Sequence, residues 1–426
     1  MRSFFSFAVF TITAAALISA CSKSKVSEII DDTALVQPQS DEGAIIEGQY
    51  ILMFRGDKIA PAITYLTDPV RTRAEKSSRM AAYGKTVENQ INTWLANQGI
   101  SQDAVLAYYT AVQSGVAIRL SREVFESLKK SEDLESLEYD RVVELPPFTV
   151  EEIIEDGARA QTTPCGITNA GGAAVAGTDR WIWIIDSGID LDHPDLNVVT
   201  NTAYAVSFVG GTANDCNGHG THVAGTAAAV NNTIGVIGVA SGAPVVPVRV
   251  FPCSGGSATS TILSGVNHVA ANDLPGDVVN MSLGGYYGTS GCSTGSSYRS
   301  ALQAMGNAGT RIAVASGNNF SNAAYYQPAC VNGTNIFTVT NMRCNKTYYN
   351  DPTYGGNYNT SSSGPVDWIA TGTSVYSTYL NGGYATLTGT SMATPHVAGI
   401  MQIRNAAPAQ NGTVSQSGLS YKIAVR

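Results

Sequence analysis

The run Trp181-Ile-Trp-Ile-Ile-Asp186 is apolar on both faces until it closes on an acid. A strand of this kind must be covered on both sides, the situation of a buried parallel strand in an α/β protein. Its carboxyl end is the edge at which open α/β sheets bind ligands. Two more runs pack small residues around polar ones. In Asn217-Gly-His219-Gly-Thr-His222-Val-Ala-Gly225 the small residues let the backbone approach closely where a helix begins. Gly389-Thr-Ser391-Met-Ala-Thr-Pro395-His396-Val-Ala-Gly399 puts a serine in the first turn of an Ala-rich helix. Pro395 is expected to be tolerated there because early helical N–H groups lack partners.

All three runs lie beyond residue 160, where the chain changes character. Up to Ala160 there are 16 Lys+Arg against 23 Asp+Glu; from Gln161 there are 9 against 10. The second part has no glutamate, holds all five histidines, and has only Lys346 and Lys422 as lysines. Any histidine chemistry therefore belongs to it. At 426 residues the chain has room for two or three domains. A hydrophobic content of 44% excludes a wholly disordered or membrane-embedded chain. A net charge of −8 argues against a general nucleic-acid binder.

Residues 1–20 read as a secretory signal: Arg2, an apolar stretch from Phe4, then Ile18-Ser19-Ala20. The run ending in Cys21 also resembles a bacterial lipobox, in which the cysteine thiol is lipidated; the alternative is an ordinary cut after Ala20. Seven cysteines are an awkward number for an oxidising compartment, and lipidation of Cys21 leaves six. Residues 22–46 read as a polar tether. Residues 47–145 read as strand, helix, strand, strand, helix, strand, which suggests a ferredoxin-like α/β sandwich. Met80, Tyr83, Val87, Ile91, Trp94 and Leu95 share one helix face, and Gly99 is the expected stop. Ser121 is an N-cap candidate. The stretch has no histidine and no cysteine, so an active site is not expected in it. The acidic segment 146–160 reads as an exposed linker.

A serine needs a base to become a nucleophile, and the base needs an orienting group. The three runs supply Asp186, His219 and Ser391 in that order. Together they make residues 161–426 resemble a subtilisin-like serine protease (subtilase), nearest the secreted bacterial and proteinase K-like members. The resemblance implies a mainly parallel sheet flanked by helices. The stretch 47–145 is similar to the family's inhibitory propeptide, by pattern more than by residue.

By that resemblance Ser391 attacks the scissile carbonyl, His219 carries the proton, and Asp186 orients the imidazole. The backbone N–H of Ser391 and the side-chain amide of Asn318 bind the oxyanion; loss of such an amide costs about 10²–10³ in kcat in subtilisin. Ser282, Leu283 and Gly284 match the segment that pairs with substrate backbone. A calcium site is implied at Gln161, Asp195 and Asn232 by side chain, and at Val230, Ile234 and Val236 by carbonyl. That site is expected to form only once Gln161 has been freed by cleavage. No organic cofactor is implied. The implied protein is a monomeric endopeptidase acting on proteins or peptides, inhibited by its own propeptide. It is made as an envelope lipoprotein precursor and released by self-cleavage near 158–161. A catalytically inactive, lipid-anchored homologue that binds peptides is the alternative. A lipase or esterase lacks support, because Gly389-Thr-Ser391-Met-Ala is not a nucleophile elbow.

Blander roles remain open beside these. Asp190 and Asp192 compete with Asp186 as the orienting acid. His222, His268 and His396 read as core or helix-face residues, His193 as a turn residue, and Tyr348 to Tyr358 as a surface loop. Within the resemblance, Cys216 and Cys253 stand at positions paired in thermophilic members. Cys330 and Cys344 flank a strand and could pair, which leaves Cys165 for Cys292. Asn319 stands where some relatives carry an acid, which suggests an uncharged specificity pocket.

Overall fold

A computed structural model describes residues 43–154, 160–289, 291–292, 296–352 and 354–426. The signal segment, Cys21 and the tether up to residue 42 lie outside them. The first strand, β1 (Ile45–Phe54), starts inside the segment expected to be tether, where the Gly43 N–H donates to Val142 O at 2.9 Å. It is followed by α1 (Arg73–Asn97), β2 (Val105–Tyr109), β3 (Gly115–Arg119), α2 (Arg122–Leu128) and β4 (Leu134–Glu144). These strands lie in the order β4-β1-β3-β2 with antiparallel neighbours, a ferredoxin-like arrangement. The Thr72 side chain caps α1 by accepting from the Glu75 N–H, and Met80, Val87, Ile91 and Leu95 are buried beneath the sheet. Past the helix, Gly99 takes φ 71°, a conformation glycine adopts without steric cost. Ser121 caps α2.

The supposed linker contains a strand, β5 (Thr149–Ile154). The second part then runs through β6 (Ile182–Asp186), α3 (His219–Ala228), β7 (Val245–Arg249), β8 (Gly256–Ala258), α4 (Thr259–Asn272) and β9 (Val278–Met281). It continues with α5 (Ser297–Asn307), β10 (Arg311–Ala315), β11 (Ile336–Met342), β12 (Val366–Thr371), β13 (Tyr384–Thr388), α6 (Thr390–Arg404), β14 (Ala409–Gln416) and β15 (Leu419–Val425). The main sheet has the order β14-β15-β12-β11-β10-β9-β6-β7, with Val206–Ser207 at its edge. All neighbours are parallel except β14 and β15. The two faces of β6 explain its apolar run. Trp183 and Ile185 pack into one core with Ile262 and Val266 of α4, while Ile182 and Ile184 enter another with Val223 of α3 and Val397 of α6.

The six cysteines after residue 160 pair as Cys216–Cys253, Cys165–Cys344 and Cys292–Cys330, with Cα separations of 5.1, 5.9 and 5.6 Å. The first is the expected pair, and the other two correct the expected scheme. Cys344 follows β11 toward the short helix Cys165–Asn169, whereas Cys330 lies in the loop before that strand, opposite Cys292.

The first domain docks on α4 and α5. Val142–Glu144 of β4 pair with β8, which extends the small sheet onto the larger part. Two carboxylates meet helix N-termini, where unpaired N–H groups and the helix dipole favour an acceptor. Asp140 accepts from the Ser260 N–H at 3.0 Å and Glu138 from the Ser297 N–H at 2.7 Å. Buried Arg73 pairs with Asp277 and stacks 3.8 Å over Trp181, and Lys76 pairs with Asp273.

Burial pushes the Glu138 carboxyl up to about 7 from 4.5, against the opposing hydrogen bonds from Ser297. The folded state therefore holds this proton more tightly than the unfolded chain. Its contribution is fully present below 4.5 and is lost as pH rises through about 7. Thermal melts should show Tm falling across that window, with a shallower fall in Glu138→Gln. An identical slope in the two proteins would contradict this assignment.

Candidate active site

The chain leaves β6 for β7 on one side and returns to β9 on the other, so the order in which strands are added reverses at β6 while all three stay parallel. Such a switch point opens a crevice. Asp186 ends β6 there and His219 begins α3, both fully buried. His219 Nδ1 lies 2.8 Å from Asp186 Oδ1, which also accepts the Ser187 N–H at 2.7 Å. With its proton on Nδ1 the imidazole presents a bare Nε2, which is buried and has no hydrogen-bond partner. Glycine at 220 permits this approach: a Cβ there would sit 2.1 Å from Gly188 O and 3.2 Å from Asp186 Cβ.

The competing groups make other contacts. Asp190 Oδ2 accepts the Gly382 N–H at 2.9 Å. The four remaining histidines are held by backbone: His193 to Gly383 O, His222 to Val375 O and Ala385 O, His268 to Tyr204 O, and His396 to Met392 O. Burial pulls His222 down to about 3 and His396 down to about 4, so both are neutral.

Ser391 is the second residue of α6, and its Oγ donates to Ser282 O at 3.3 Å. Ser282 Oγ in turn donates to Ser391 O at 2.8 Å. The second bond follows from Pro395, which is the sixth residue of α6 rather than part of its first turn. Proline has no N–H for the carbonyl four residues back. The Ser391 carbonyl is thus released to the Ser282 hydroxyl, which ties α6 to the end of β9. Asn318 follows β10; its Oδ1 accepts the Thr390 N–H at 2.8 Å, which aims Nδ2 into the crevice. Leu283 is buried beneath this edge.

The crevice is occupied by the chain's own segment 144–154. Glu144 bridges Gly284 antiparallel, and the Leu145 N–H donates to Gly255 O at 3.2 Å. The Asn318 Nδ2 donates to Pro147 O at 2.8 Å, and the Phe148 ring lies 5.0 Å from the His219 ring. Beyond it, β5 pairs antiparallel with β13, the strand leading into Ser391. The segment expected to be exposed is thus held by sheet hydrogen bonds on either side of the crevice.

Sequence reasoning missed Asp215. This buried carboxylate accepts from Ser187 Oγ and the Asn217 and Gly218 N–H groups on one oxygen, and from the Thr221 N–H and Oγ on the other. It therefore fastens the residue after Asp186 to the first turn of α3. An acid four residues before a helix-starting histidine is the usable sequence sign. The Tyr348–Tyr358 run is also less superficial than expected. Tyr348 and Asn357 are buried, and Asn357 donates to Ser316 O and accepts from the Asn319 N–H, bracing the loop that carries Asn318.

Five of the six residues expected at a cation site meet through side-chain or carbonyl contacts. Gln161 Nε2 donates to Val230 O, Asn232 Oδ1 and Val236 O at 2.8, 3.3 and 3.1 Å. Asp195 accepts from Asn232 Nδ2 and from the Val236 N–H, and burial pushes its carboxyl up to about 6. Ile234 joins the same loop through its N–H, which donates to Asn232 Oδ1. Gln161 reaches this loop in the uncut chain, so cleavage is not needed to bring it there.

These features are those of a buried Asp–His pair and a helix-borne serine at the switch point of a parallel sheet. The Subtilase family profile matches residues 177–417, more than half of the chain, and the chain belongs to that family. It is 30% identical to the extracellular serine proteinase of Thermus sp. (strain Rt41A) over 90% of this chain and 86% of that one. It is 32% identical to alkaline serine exoprotease A of Vibrio alginolyticus over 74% of this chain, spanning 55% of that protein, and it spans 65% of M-protease from Shouchella clausii (strain KSM-K16). A crystal structure of a cold adapted subtilisin-like serine proteinase superposes with a TM-score of 0.50 at 33% identity, over 60% of this chain and 91% of that one.

Proposed function

We propose that the protein is an exported serine endopeptidase made as a self-inhibited precursor. The observation that carries this reading is the buried His219–Asp186 contact at 2.8 Å, which leaves His219 Nε2 without a partner. In the reaction the Ser391 hydroxyl turns from Ser282 O to His219, gives its proton to Nε2 and adds to the scissile carbonyl. Asn318 Nδ2 and the Ser391 backbone N–H bind the oxyanion. His219 then protonates the leaving amine, and water releases the acyl group. Asp186 holds the imidazole tautomer and stabilises the imidazolium. Ser282 and Gly284 pair with substrate backbone, as Gly284 does with Glu144.

The domain containing β1 to β4 acts as the inhibitor, and residues 1–20 direct export with lipid on Cys21. The Gln161 cage fits a calcium ion, because three oxygens already converge on one side-chain atom beside a carboxylate. Turning the Gln161 amide so that its oxygen faces inward makes every group there a donor oxygen of the kind a hard cation takes. The bound ion would supply structural cross-linking of the loop and no chemistry in the reaction.

Purified protein should hydrolyse an unstructured protein substrate, and Ser391→Ala should lose about 10⁶ in kcat, the loss seen for the subtilisin nucleophile. Wild type that binds peptides without hydrolysing them would establish the inactive homologue instead. Calcium should raise the Tm and a chelator should lower it, with most of the gain absent in Gln161→Leu. An equal gain in that variant would remove the cation from this loop.

A further inference from the structure

Residues 144–154 cross the crevice in one direction, and only one of their carbonyls meets the oxyanion amide. Pairing on the upstream side ends at Leu145, whose N–H donates to Gly255 O. Pairing on the downstream side begins at Thr149, opposite Thr388. Between them lie Pro146, Pro147 and Phe148. The Pro147 oxygen accepts from Asn318 Nδ2, and the Phe148 ring covers His219. We propose that the peptide bond between Pro147 and Phe148 is the chain's own processing site, and that Pro147 makes this cut slow. The proposal deepens the proteolytic reading and rests on it. It moves the expected cut upstream from 158–161.

The slow step has a specific cause. Proline at 147 has no backbone N–H, so the segment offers no donor at this position to the carbonyls around it. The Ser282 carbonyl accepts from Ser391 Oγ, while His219 Nε2 goes without a partner. The nucleophile is thus bonded to Ser282 O rather than to its base, and in the proposal a backbone N–H at 147 competes for that acceptor. For the cut, Ser391 Oγ transfers its proton to His219 Nε2 and bonds to the Pro147 carbonyl carbon. The carbon–nitrogen bond to Phe148 breaks as Nε2 returns the proton to that nitrogen. Water then hydrolyses the ester, leaving a Pro147 carboxylate and a free Phe148 amine. The upstream bond, between Pro146 and Pro147, has no carbonyl contact with Asn318 and a proline nitrogen as leaving group.

The test is a time course of intact mass on freshly purified full-length protein, for wild type, Pro147→Ala and Ser391→Ala, with hydrolysis of an added peptide followed in parallel. The first fragments expected from wild type end at Pro147 and begin at Phe148. Pro147→Ala should give the same pair about fivefold faster or more, the effect of one hydrogen bond of ordinary net strength. Ser391→Ala should stay intact. First fragments meeting at any other bond would overturn the site. An unchanged rate in Pro147→Ala would overturn the role of proline. A cut in Ser391→Ala would assign the processing to another protease. Wild type that hydrolyses added peptide yet cuts no bond of its own also overturns the proposal. Wild type inactive on both counts removes the proteolytic reading together with it.

Discussion

The contact between Asp186 and His219 is the interaction on which the rest of the site depends. It joins the end of one element to the start of another, and each is fixed by its own packing. The strand carrying Asp186 is apolar on both faces and buried on both, so it has no freedom to roll. The helix carrying His219 approaches because residue 220 has no side chain, and Asp215 ties its first turn to Ser187. The Cys216–Cys253 bridge holds the same loop from outside. Asp186 Oδ1 meets both the Ser187 N–H and His219 Nδ1, so the imidazole is fixed in orientation by two elements at once.

A second layer is built on the same edge. The first domain reaches α4 and α5 through two carboxylates on helix N-termini and through Arg73 clasped between Asp277 and Trp181. Its last strand pairs with β8, so the chain emerging from it is already aligned with the crevice. The docking contacts and the occupied active site are therefore one continuous backbone path.

What could be read from the sequence was whatever short range determines. The runs around Asp186, His219 and Ser391 each combine a polar residue with neighbours that allow close packing, so strand end and helix starts were legible. The apolar face of α1, its stop at Gly99 and the cap at Ser121 follow from local spacing in the same way. Long-range partners were not legible. Cys165 and Cys344 are 179 residues apart, and only the folded sheet shows that Cys344 faces the helix Cys165–Asn169. The acidic character of 146–160 concealed a strand, because its partner is β13, more than 200 residues later. Local sequence makes Pro395 look like a first-turn residue, although its missing N–H acts deeper in the helix, where it releases Ser391 O to Ser282.

The central claim is that Asp186 holds the proton on Nδ1 of His219 and leaves Nε2 to act as the base. The most direct measurement is proton–nitrogen NMR of the imidazole in histidine-labelled full-length Ser391→Ala protein at neutral pH. The account predicts a protected, far-downfield proton on Nδ1 of His219 that disappears or moves strongly upfield in Asp186→Ala. A proton residing on Nε2, or an Nδ1 proton indifferent to the loss of Asp186, would contradict it.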